Sequence, residues 1–113
     1  VPIGIACEAD GQSIVVADAF AQRLIRIDLS TGNQTYLTAR PDTLDPLSSE
    51  PKLDFPTHVA IEADGNYIVT DGRDDGRPRR VIRIDKGTGV ASLIVSDTGT
   101  SFFDQPRGIR IAK

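Results

Sequence analysis

The chain has 113 residues, the length of one ordinary domain, with 13 Lys and Arg against 16 Asp and Glu and a formal charge of −3. Charges this evenly scattered form no basic stripe, which argues against nucleic acid and against an anionic membrane as partners. A hydrophobic content of 39% excludes a disordered tail, and the single cysteine, Cys7, excludes an intramolecular disulfide and a cysteine-rich zinc site.

The apolar runs are short, far below the roughly 18 residues that a membrane-spanning helix needs. Residues 3–8 instead alternate, with Ile3, Ile5 and Cys7 on one side and the small Gly4 and Ala6 on the other. Period two is the strand signature, and the small residues permit a close approach of another backbone. Asp10-Gly11 follows, a pair favoured in tight hairpin turns. Residues 13–17 (Ser-Ile-Val-Val-Ala) read as a β-branched second strand. Residues 23–28, where Arg and Ile alternate, read as a third strand, and after Thr31-Gly32 residues 35–38 read as a fourth.

The series then repeats. After a long connector, 39–55, carrying Pro41, Pro46 and Pro51, strands are predicted over 57–62, 67–70, 80–85 and 91–95. Pro2-Ile-Gly-Ile-Ala-Cys-Glu-Ala-Asp-Gly11 and Pro56-Thr-His-Val-Ala-Ile-Glu-Ala-Asp-Gly65 are identical at six of ten positions, 54 residues apart. Leu24-Ile-Arg-Ile-Asp28 matches Val81-Ile-Arg-Ile-Asp85, and Pro106-Arg-Gly-Ile-Arg-Ile111 opens a third unit, 50 residues after the second. No stretch carries the apolar period and caps of a helix. The fold expected is all-β: two four-stranded antiparallel units plus one extra strand. Residues 1–55 are the first unit with its connector, 56–105 the second, and 106–113 the first strand of a third unit or a swapped strand.

Four-stranded units at this period are the signature of β-propeller blades. The runs Pro-x-Gly-Ile-Ala, Glu-Ala-Asp-Gly, Ile-Val-Val-Ala-Asp and Arg-Leu-Ile-Arg-Ile-Asp resemble the NHL-repeat family. They are also similar to the wider six-bladed group of gluconolactonase-like enzymes, strictosidine-synthase-like proteins and peptide-amidating lyases. The resemblance spans Pro2 to Lys113 and rests on structural positions. It implies a six-bladed ring, of which two blades and a strand are less than half. Closed propellers need at least four blades. The chain is therefore expected to be a fragment of a longer propeller, partnered by the remainder of that chain, or to close as a homo-oligomer, with a trimer giving six blades. The absence of an initiator Met is expected of a processed chain or a fragment, and no feature reports a compartment.

Candidate functional residues are few. His58, the only histidine, stands where the other units have Gly4 and Gly108, on the strand expected nearest the propeller axis. Asp18 and Asp71 close the second strand of each unit. The resemblance to the lyases brings zinc on inner-strand histidines, and that to the lactonases brings calcium at the channel mouth. On that basis His58, Asp18 and Asp71 are candidate metal ligands, although zinc needs three or four ligands and calcium six to eight oxygens. A structural role is the simpler reading of each, and for the two aspartates it is bonding to loop NH groups. Arg73, Asp74, Asp75 and Arg77 form a charged loop in the second unit that is a candidate ligand or partner surface. Cys7 reads as a small core residue, and Phe55 and Phe103 as packing between blades.

No catalytic set and no cofactor site emerges. The function expected is a binding or interaction scaffold completed by self-association, with two further possibilities open: a metal-dependent lactonase-like hydrolase or lyase with its site at the central channel, and an inactive fragment of a larger propeller.

Overall fold

The computed structural model describes residues 2–38, 51–72 and 79–96. The expectations for the third unit, for most of the connector, for Phe103 and for Arg73, Asp74, Asp75 and Arg77 lie outside the described residues.

Eight strands form two separate four-stranded antiparallel sheets, each in chain order. The first comprises β1 (Pro2–Cys7), β2 (Ser13–Asp18), β3 (Arg23–Asp28) and β4 (Gln34–Tyr36). The second comprises β5 (Pro56–Ile61), β6 (Tyr67–Asp71), β7 (Arg80–Ile84) and β8 (Ala91–Ser96). Each sheet is one blade, and among the described residues there is no helix. The first three strands of each blade share equivalent register, including a bulge between Pro2 and Gly4 and another between Pro56 and His58, whereas β7–β8 has a further bulge at Val81–Ile82 that β3–β4 lacks.

The Asp-Gly turns differ from the two-residue hairpin that the pair suggests. Gly11 N donates to Glu8 O at 3.0 Å and Gly65 N to Glu62 O at 2.8 Å. Only the glycine of each pair has a positive φ, +68° and +96°. Each Asp-Gly therefore fills the last two places of a four-residue turn, with the glycine absorbing the left-handed step that rejoins the strand. The β3–β4 and β7–β8 turns are tied by aspartates. Asp28 Oδ1 accepts from the backbone N of Ser30 and Thr31 at 2.8 and 3.1 Å. Asp85 Oδ1 does the same for Gly87 and Thr88 at 2.8 and 3.0 Å.

Alternation fixes two faces on each blade. The front of blade 1 carries Gly4, Ala6, Val15, Ala17, Leu24 and Arg26; the back of blade 2 carries Val59, Ile61, Tyr67, Val69, Ile82 and Ile84. These two faces meet and form the core, where Val15, Ala17, Leu24, Val69, Ile82 and Ile84 are fully buried. At the inner edge the small residues do what their size permits. A Cβ on Gly4 would lie 2.6 Å from His58 Cα and nearer still to Thr57 O. At the outer edge Gly89 (φ +74°) is pressed against the Leu37 carbonyl in the same way.

Candidate functional site

One end of the blade pair gathers the β2–β3 loop and the lead-in to β5, and its organising group is Asp71. The carboxylate is 1% exposed. Its Oδ1 accepts from Phe55 N at 2.6 Å and from Asp54 N at 3.1 Å, and it is ion-paired with Arg80. Arg80 also donates to the Lys52 carbonyl. A buried charge needs this degree of satisfaction. From blade 1, Gln22, the one non-glycine with positive φ among the described residues (59°), sends Nε2 to Asp54 O at 2.9 Å. Phe20 packs edge-on to Phe55 with ring centroids 6.2 Å apart. The expected packing of Phe55 between blades is thus found.

Asp18 occupies the equivalent place on blade 1, at the end of β2, and accepts from Ala21 N at 3.1 Å. Asp18 thus bonds an amide of the loop that follows it, and Asp71 bonds amides of the lead-in to its own blade. His58 sits on the opposite face of blade 2 from Asp71, paired across the sheet with Thr70 while Asp71 pairs with Pro56. Its Nδ1 is closed off from solvent and has no hydrogen-bond partner. Burial lowers the pKa of the ring from its ordinary value. Within one chain, therefore, His58 faces the front of blade 2, Asp71 its back and Asp18 the back of blade 1. Among the described residues no group of three or more His, Cys, Asp or Glu is placed to hold a metal ion.

Two features escaped the sequence reading. Arg26 donates to Glu8 through Nε and, at 3.0 Å, through Nη2, and the same nitrogen donates to Tyr67 Oη of blade 2 at 2.7 Å. Burial pushes the Tyr67 hydroxyl up. Arg83 and Glu62 repeat the bidentate pair on the front of blade 2, at 2.7 and 3.1 Å. The signal was present in the recurrence of Glu and Arg in both units, but the cross-blade tyrosine has no counterpart in the first unit.

The second is the back of blade 1. Ile5 is 63% exposed and Tyr36 55%, with Arg23 stacked 3.5 Å from the Tyr36 ring centroid. Ile14, Val16, Ile25 and Ile27 share this face and are only partly covered. Cys7 lies here too and is exposed, which corrects its reading as a core residue. Its equivalent Ile61 packs against the core because blade 1 lies over it. Among the described residues no blade lies over Cys7.

No family model matches this sequence, and no curated protein matches it. Solved structures do. The PQQ-bound form of aldose sugar dehydrogenase from Streptomyces coelicolor superposes with a TM-score of 0.61 at 17% identity, over 85% of this chain and 30% of that one. A luciferin-regenerating enzyme superposes with a TM-score of 0.58 at 20% identity, over 86% of this chain and 29% of that one. Both are β-propellers, and the likeness shows the fold. The chain spans less than a third of either neighbour's length.

Proposed function

We propose that the chain is a blade module of a β-propeller that works as a binding or interaction scaffold and is completed by association through the open back face of blade 1. The observation that carries this reading is that face: a contiguous apolar surface around Ile5, Ile14, Ile25 and Tyr36, on a fold whose blades bury both faces. The NHL-type resemblance belongs with it, since that resemblance implies interaction roles. Arg73, Asp74, Asp75 and Arg77, the charged run that the sequence carries between β6 and β7, are the candidate partner-contacting residues of this reading. Against a metal-dependent enzyme stand the divergence of His58, Asp18 and Asp71 and the engagement of the Asp71 carboxylate with Arg80 and two backbone amides.

Light scattering over a range of concentrations tests the association. A mass that rises above 12.2 kDa and returns to it in Ile5→Glu is expected; a chain that stays monomeric throughout overturns self-association. Elemental analysis after exposure to zinc or calcium and desalting tests the scaffold assignment. Retention of one metal per chain that is lost in His58→Ala overturns it.

A further inference from the structure

We propose that the outer edge of blade 2, strand β8, is an interaction surface for β8 of a second copy, the two strands pairing antiparallel about a two-fold axis. This edge is separate from the back face of blade 1, and the inference does not rest on the association put forward for that face.

A strand at the margin of a sheet turns half of its N–H and C=O groups away from its one neighbour, where they can template a further strand. The marginal strands here are β1 and β5 at the inner edge and β4 and β8 at the outer. β1 lies against β5, where Gly4 meets Thr57 and His58. β4 is three residues long, Gln34-Thr35-Tyr36, and short edges resist pairing. β8 differs from all three. It runs for six residues, Ala91-Ser-Leu-Ile-Val-Ser96, without a charge or a proline, and among the described residues β7 is its only neighbour.

The one irregularity of β8 enlarges its apolar border. Leu93 pairs with Ile82 and Val95 with Val81, so Ile94 is the extra residue of the bulge. Leu93 therefore lies on the back of the blade with Ile82, and Val95 on the front with Val81. Leu93 is 51% exposed, Ile94 47% and Val95 36%. A strand laid along this edge gains backbone bonds and covers apolar side chains on both of its faces.

The matching occupant is β8 itself. It is the marginal strand among the described ones that is long, uncharged and open along its edge, so a second copy supplies the same features in return. Antiparallel self-pairing sets Leu93, Ile94 and Val95 of the two copies together at the centre and serines toward the ends, with no like charges opposed. The contact is one strand wide, which falls short of the roughly 1,200 Å² of a stable interface, so the pair forms at high concentration and is weak. Each copy has one such edge, and the two-fold closes the assembly at a dimer.

The test uses Ile5→Glu, which disables the back face of blade 1 whether or not that face associates. Hydrogen exchange of the 92–96 amides is followed by NMR over an about 100-fold range of concentration, with the mass read in parallel by sedimentation. The outward-pointing amides are expected to slow about tenfold across the range while the mass approaches, and does not pass, twice 12.2 kDa. Leu93→Lys and Leu93→Glu, each alone, are expected to abolish the slowing, and an equal mixture of the two to restore it. That restoration separates like-charge repulsion at the edge from damage to the fold. Amides at 92–96 that exchange at one rate at every concentration overturn the proposal. So do slowing confined to β1–β3, growth beyond a dimer, or a mixture that stays as fast as its components.

Discussion

Replacing Gly4 by alanine sets two opposite effects against each other. In an unobstructed strand the change stabilises a protein by about 0.4–1 kcal/mol, because the unfolded chain has less freedom to lose. Here the added Cβ would stand 2.6 Å from His58 Cα and nearer still to the Thr57 carbonyl. Carbon atoms in contact prefer about 3.5–4.0 Å, so β1 and β5 must part by roughly 1 Å. Both obstacles are backbone, so no rotamer relieves the overlap. Overpacking of this kind costs about 1–3 kcal/mol, and separation of the inner strands also loosens the contacts of Val15 and Ala17 behind them. The net expectation is destabilisation by about 1–2 kcal/mol, which lowers the thermal midpoint by roughly 4–16 °C for a domain of this size. Thermal unfolding followed by circular dichroism reads this directly. A midpoint that is unchanged or raised would refute the face-to-face contact of the two blades at the inner edge, because the unfolded-state effect alone has the opposite sign.

Tyr67→Phe removes the acceptor that Arg26 reaches across the blades and is expected to cost about 1 kcal/mol in urea unfolding, Arg26 keeping Glu8. Asp71→Ala strands a largely covered Arg80 and two amides of the β5 lead-in. It is expected to cost about 3–5 kcal/mol and to abolish cooperative unfolding, whereas Asp18→Ala is expected to leave the midpoint within a few degrees. Burial holds the pKa of the His58 ring below its ordinary value of 6.5. The unfolded chain then binds more protons than the folded one just below that value, so this group's effect is nil well above pH 6.5 and destabilising as pH falls through it. His58→Gln is expected to flatten the stability profile between neutral and mildly acidic pH; an unaltered slope would count against the burial of the ring.

The strands were legible because each blade repeats a period-two pattern between turn residues, and the repeat supplied two independent views of the same element. Their ends moved by a residue or two: β2 runs on to Asp18 and β6 to Asp71, since the cross-strand pairs with Arg23 and Arg80 hold them in the ladder. The closeness of the inner strands could be read from Gly4 and Ala6. The environment of Cys7 could not, because the pattern tells which face a residue lies on and not whether another blade covers that face. The Asp71 grip on Asp54 and Phe55 was equally hidden. It joins residues distant in sequence, and no spacing in the chain encodes it.

Lys52–Phe55 belongs to no strand, yet it is bonded from both sides. Blade 2 holds it through Asp71, Arg80 and the Gly72 amide, which donates to the Phe55 carbonyl; blade 1 holds it through Gln22 and Phe20. In hydrogen-exchange terms the Asp54 and Phe55 amides are expected to open only when the Asp71 carboxylate lets go of them, an event that also loosens the Gln22 and Phe20 contacts and so couples the opening of one blade to the other.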